Sequence, residues 1–217
     1  MTGNRVEIFQ QILKEIETRK TKDRAFVAGV NGIDCSGKSM FAESFEKFLV
    51  SRGLETQLIS IDEFHNPVAY RYSGNTQIEN YYNNSFNINT IIEKLMSKIK
   101  RGANYSIKLP VLNWQTDEYD TEKEYTFNQN TIVIFEGVFL FRKELSTHID
   151  YKVFLEITFQ ESKRRAKIRD SEASLRKYEE KYLPAQKRYL DEFPPAETAD
   201  LIIDNSNWEY PVVKLHR

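Results

Sequence analysis

Residues 32–39 read GIDCSGKS and match the pattern G-x-x-x-x-G-K-[ST]; the neighbours of this stretch decide the fold. An apolar run, AFVAGV (25–30), precedes it, and the stretch KSMFAESFEKFL (38–49) continues from it with helical spacing. A strand, a tight loop and a helix in that order form the opening of a phosphate-binding α/β unit. Gly32 and Gly37 let the backbone curl so that successive N–H groups point inward. Ile33, Asp34, Cys35 and Ser36 lie between them and extend this cradle. The helix that begins at Lys38 adds its unpaired N–H groups and positive dipole end. In this pattern Lys38 reaches the β- and γ-phosphates of a nucleotide, and the Ser39 hydroxyl is placed for Mg²⁺. Cys35 reads as a tolerated variable position within the loop.

Outward from the loop, four more short apolar runs recur: TQLISI (56–61), TIVIF (131–135), YKVFLEI (151–157) and DLIID (200–204). Helical patterns over 38–52, 88–100 and 160–181 separate several of them. Alternating strands and helices predict a mostly parallel sheet covered on both faces. The segment 63–87 is polar and rich in Tyr and Asn, and reads as an irregular lobe outside the sheet. No repeat or linker divides the 217 residues, which predicts a single domain, 1–217.

Composition excludes other classes. The chain is 40% hydrophobic and 29% charged, with 31 basic against 32 acidic residues, so no global basic field invites nucleic acid. The N-terminal stretch places Val6, Phe9, Leu13 and Ile16 on one helical face, unlike a signal peptide. No run approaches the roughly 20 apolar residues of a membrane helix. One cysteine suits a reducing cytoplasm. These readings predict a cytoplasmic protein with a small-molecule partner, no nucleic acid and no membrane, and leave homo-oligomer formation open.

Ligands of open parallel sheets bind beyond the carboxyl ends of the strands. The run LISI there meets Asp62-Glu63-Phe64-His65, and TIVIF meets Glu136-Gly137. Asp62 is the better candidate for a general base, with a second possible role beside the metal; Glu136 is the better candidate for holding it. Glu63 reads as a solvated loop acid, and His65 is balanced between packing and substrate contact. The basic stretch 161–182 carries Arg165 and Arg169 on one helical face, with Arg164 and Arg176 nearby, and could deliver cations to a transferring phosphoryl group. Tyr70, Tyr72, Tyr81, Tyr82, Phe86 and Trp114 are candidates to line an acceptor pocket, although most such rings serve packing.

Taken in order, VNGIDCSGKS, SIDEFH, YYNNSFN, KLPVLNW, IFEGVF, RRAKIRD and ADLIID resemble the uridine kinase-like branch of P-loop small-molecule kinases, related to phosphoribulokinase and bacterial pantothenate kinase. The resemblance spans roughly residues 24–204. It implies a three-layer sandwich around a mostly parallel five-stranded sheet, a substrate-side lobe at about 63–87 and 103–128, and a lid at about 160–182. It further implies transfer of the γ-phosphoryl of ATP, or GTP, to a hydroxyl, with Asp62 activating the acceptor, Glu136 helping to hold Mg²⁺, and Arg165 and Arg169 on the phosphate side. His65, Tyr82, Asn84, Trp114 and Asp117 fall at acceptor positions. Several depart from the family pattern: Asn84 replaces an Asp, Leu112 a Tyr, and Asp117 a His that contacts the base, while Trp114 keeps an aromatic. The acceptor is therefore either uridine-like or of another kind, such as a pantothenate, a sugar or a vitamin riboside. A nucleotide-dependent regulatory protein is the remaining alternative.

Overall fold

The computed structural model describes residues 3–102, 104–169 and 172–217. The strands are β1 (Phe26–Gly32), β2 (Thr56–Ser60), β3 (Tyr105–Asn113), β4 (Glu118–Phe127), β5 (Ile132–Gly137), β6 (Tyr151–Glu156), β7 (Leu201–Asp204) and β8 (Val212–His216). Six form one sheet in the order β2-β5-β1-β6-β7-β8. All pair in parallel except β8, which runs antiparallel to β7. The expectation of five strands is thus one short. The missed strand, VVKLH, carries three apolar residues and alternates exposed with half-buried positions, so its apolar signal is weak.

Strand alternation divides the core into two layers. Phe26, Ala28 and Val30 of β1, Ile132 and Ile134 of β5, and Tyr151, Val153 and Leu155 of β6 face helices α1 (Gly3–Arg19) and α2 (Lys38–Val50). There Phe9 meets Phe41, Phe45 and Phe48 with ring centroids 5.1–5.4 Å apart. Val27, Val133, Phe135 and Phe154 face the opposite layer, which contains Ile91, Leu95, Phe139 and Tyr189. With both faces covered, β1 is buried along its whole length, which fixes the position of the loop that follows it.

The lobe is more ordered than its composition suggests. Residues 63–87 contain α3 (Val68–Arg71) and α4 (Gln77–Asn84). The start of α4 is written in TQIE, where the Thr76 side chain accepts a hydrogen bond from the Glu79 backbone N–H and Glu79 occupies the matching capping-box position. The rest of the lobe is the antiparallel hairpin of β3 and β4. Glu63 corrects its sequence reading, because it is half-buried and joins this hairpin to the sheet. Tyr125 Oη donates to it over 2.8 Å, and Lys123 pairs with it. No helix among the described residues is long and apolar enough to cross a membrane.

Candidate active site

The loop after β1 closes on itself. Lys38 is buried, and its Nζ donates to the Ile33 carbonyl over 3.0 Å. Gly37 has φ of 90°, a conformation that L side chains rarely adopt, and Cys35 holds a positive φ of 59°. Asn205, just beyond β7, donates from Nδ2 to the Ser36 carbonyl over 2.7 Å. Arg165 donates to the carbonyls of Cys35, Asn205 and Ser206 over 3.2, 2.7 and 2.8 Å. The guanidinium thereby ties the loop to the end of the sheet.

A cavity of about 350 Å³ opens over this loop, and its lining includes Lys38, Ser39, Asp62, Glu136, Arg165 and Arg169. Glu136 is buried at the end of β5 and accepts hydrogen bonds from Ser60 Oγ at 2.5 Å and Ser39 Oγ at 3.3 Å. Gly137 follows it because Ile61 leaves no room: a Cβ there would lie 2.2 Å from Ile61 Cγ2. Asp62 sits in the single 3₁₀ turn Ile61–Phe64, which the Ser60 side chain caps by accepting from the Asp62 N–H.

Three carboxyls surround this cavity with raised pKa values. Burial is the largest cause for Asp34, Asp62 and Glu136, and Lys38 opposes it in each case. Solvent reaches two-thirds of the Asp62 side chain. Asp34, Asp62 and Glu136 face Lys38, Arg165 and Arg169 around this cavity, so its charges balance. The Ser39–Glu136 oxygen pair fits a hard divalent cation that keeps water and substrate oxygens as its other ligands. No group of three or more His, Cys, Asp or Glu among the described residues forms a cage that would hold a metal by itself.

A second cavity, of about 320 Å³, adjoins the first and is lined by Asp34, Asp62, His65, Tyr81, Trp114, Arg169, Tyr178 and Tyr182. Asp34, Asp62 and Arg169 line both cavities and so mark their junction. Asp34 is held there by Tyr81 Oη, which donates over 3.2 Å, and by the Gln186 amide, whose Nε2 also donates to it. Its own N–H donates to Gln186 Oε1 over 2.9 Å. Sequence reasoning counted Asp34 only as a loop backbone. The available signal was the oddity of an acid in a phosphate cradle, which requires donors to hold its carboxylate aside.

His65 is both packed and at the cavity wall. Its ring lies 4.5 Å from that of Phe86 and 4.6 Å from that of Trp114. Burial lowers its pKa to about 4, helped by Arg71 and Lys181 and resisted by the Asp62 carbonyl. Its Nδ1 lies 2.8 Å from that carbonyl, so the neutral ring carries its proton on Nδ1 and keeps Nε2 as an acceptor.

Other sequence candidates lie elsewhere. Tyr82 is turned away: its hydroxyl donates to Glu192 over 2.6 Å and its ring packs on Phe139 and Arg142. Its neighbour Tyr81 takes the cavity position. The Asn84 side chain donates to Ser73 Oγ over 3.4 Å, within the lobe. Asp117 accepts from the Val68 N–H at the start of α3 and pairs with Arg71. Among the lid arginines, Arg164 pairs with Glu161 and Arg176 with Glu180 on the exposed helix surface. Arg165 divides its donors between the Glu161 carboxylate and the backbone carbonyls of Cys35, Asn205 and Ser206, and Arg169 is the lid arginine at the junction.

Comparison with known proteins agrees with this geometry. No curated protein matches the chain. Among solved structures, "a Possible Uridine Kinase from Bacillus stearothermophilus" superposes with a TM-score of 0.71 at 25% identity, over 89% of this chain and 96% of that one. D-glycerate 3-kinase from Cryptococcus neoformans shares the fold with a TM-score of 0.66 at 12% identity, over 94% of this chain and 96% of that one. A family model, described as the phosphoribulokinase / uridine kinase family, matches residues 27–206. The chain therefore belongs to the phosphoribulokinase / uridine kinase family and is a P-loop kinase.

Proposed function

We propose that this kinase moves the γ-phosphoryl group of ATP to a hydroxyl of a small polar metabolite bound between the lobe and the lid. The observation that carries the reading is the junction at which Asp34, Asp62 and Arg169 line both cavities. Phosphates held by the loop amides and Lys38 occupy the first cavity, and the acceptor occupies the second. Asp62 takes the proton from the attacking hydroxyl, and its raised pKa suits a base that must first be free and then hold a proton. Arg169, on the lid, faces the charge that spreads over the transferring group. Ser39 and Glu136 would hold Mg²⁺, which supplies neutralisation of the phosphate oxygens.

The positions that would grip a pyrimidine nucleoside support a different acceptor. Asp117 is committed to α3 and Arg71, Asn84 to Ser73, and Leu112 is buried. A panel of polyols, sugars, hydroxy acids and nucleosides, followed by ADP release, tests the reading. Asp62→Asn is expected to bind nucleotide as before while losing acceptor-dependent turnover by about 10²–10⁴-fold. Turnover at the wild-type rate in that variant would remove Asp62 from the role.

A further inference from the structure

Lys181 is 4% exposed, yet no carboxylate among the described residues pairs with it. Its ammonium donates one hydrogen bond, to Tyr72 Oη at 3.3 Å. Otherwise it lies over aromatic faces, 4.4 Å from the Tyr72 ring centroid, 5.6 Å from Tyr81 and 5.5 Å from Tyr182. The neighbouring acids are already engaged: Glu179 with Lys163, Glu180 with Arg176, and Glu192 with Arg188. An ammonium has three donors, so two remain.

Stability does not explain this arrangement. Removing an ammonium from water without a counter-ion costs more than aromatic faces return. A methionine would fill the same space without that cost. Lys181 is brought inward by a π-helical turn, Tyr178–Tyr182, that also turns Tyr178 and Tyr182 to the acceptor cavity. Such turns break helix periodicity and recur at functional sites.

Two of the three rings beneath Lys181, those of Tyr81 and Tyr182, are walls of the acceptor cavity. Lys181 itself lines another space, of about 370 Å³, with Tyr72, Gln77, Arg176, Lys177 and Glu180. We propose that the acceptor is a hydroxy acid, whose hydroxyl meets Asp62 and whose carboxylate reaches past the tyrosines to Lys181 and the Tyr72 hydroxyl. A singly charged carboxylate balances the one buried ammonium. Glu180 is neutralised by Arg176, and Lys177 adds a further positive charge to the walls of the same space. The charge of Lys181 is also felt in the acceptor cavity, where, after burial and with Arg71, it keeps His65 neutral. The proposal rests on the kinase reading above and narrows its acceptor.

The test uses matched pairs that differ only at the acid: glycerate and glycerol, gluconate and glucose, pantothenate and pantothenyl alcohol. Each is titrated calorimetrically into the full chain with Mg²⁺ and a non-hydrolysable ATP analogue, and each is assayed for ADP release with ATP. The acid of at least one pair is expected to bind about tenfold to hundredfold more tightly than its alcohol, as a charge-assisted hydrogen bond allows. Lys181→Met should abolish that difference and Lys181→Arg should retain much of it, with nucleotide affinity unchanged in both. Equal binding within every pair, or a preference that survives in Lys181→Met, overturns the proposal. Tight binding of an acid without ADP release supports the Lys181 site and removes the kinase reading instead. Turnover of neutral acceptors alone does the reverse.

Discussion

The two cavities meet at Asp34, Asp62 and Arg169, yet they are built in different ways. The phosphate side is made mostly of backbone. It consists of one loop between a fully buried strand and a helix, closed by the Lys38–Ile33 bond and pinned by Asn205 and Arg165. The acceptor side is made of side chains from the loop, the 3₁₀ turn, α4, the hairpin and the lid, with Trp114 59% exposed. Backbone cradles bind a group common to all nucleotides and tolerate little change. Side-chain walls are free to change the acceptor while the phosphate chemistry persists.

The largest expected effect breaks the phosphate side for every acceptor alike. Lys38→Ala should lower turnover about 10³-fold whichever acceptor is supplied, as loss of a charge-stabilising donor does. An effect confined to one acceptor would blur the division between the cavities.

The two lid arginines sharpen it next. Arg169→Ala should lower kcat about 10²-fold or more. Arg165→Ala should instead cost about 1–3 kcal/mol of stability, because the carbonyls of Cys35, Asn205 and Ser206 lose their donor. Denaturant unfolding and steady-state kinetics on both variants separate the roles, and matching behaviour would erase the distinction.

His65 tests the acceptor side by pH. Its folded pKa of about 4 lies below the free value, so between pH 6.5 and 4 the unfolded chain binds a proton that the native state refuses. Stability should be whole above pH 6.5 and fall by roughly 3 kcal/mol from this group as pH drops to 4. His65→Asn should lose that slope, so its stability relative to wild type rises on acidification. The raised carboxyls Asp34, Asp62 and Glu136 act in both chains and largely cancel in the comparison. Parallel stability–pH curves would show that the ring is not buried as a neutral group.

The smallest effect belongs to the most exposed wall. Trp114→Ala should raise the acceptor KM about tenfold and leave the nucleotide KM and the melting temperature almost unchanged, as loss of one aromatic contact does. A collapse in stability would make Trp114 a packing residue of the hairpin.

Legibility in the sequence follows the same division. The phosphate loop is eight consecutive residues whose spacing carries its chemistry, and Asp62 and Glu136 were marked by the strands that precede them. Tyr81 and Tyr82 were not separable, because adjacent helical residues differ by about 100° of rotation and the sequence does not say which way α4 turns. Asn84 and Asp117 fall at acceptor positions in the sequence, and in the fold their side chains bond within the lobe. Glu63 reads as solvated in the sequence and anchors the hairpin in the fold, because its partners Lys123 and Tyr125 lie some sixty residues away.

By itself, then, the sequence determined the parallel sheet, the phosphate loop, the two strand-end acids and the basic lid, because each depends on local spacing and on short-range backbone geometry. Only the tertiary structure decided that Asp34 stands between the cavities, that Arg169 rather than Arg165 is at the junction, and that Lys181 is buried without a carboxylate. Those facts depend on which distant surfaces pack together, and burial, the term that sets their charge chemistry, does not exist until they do.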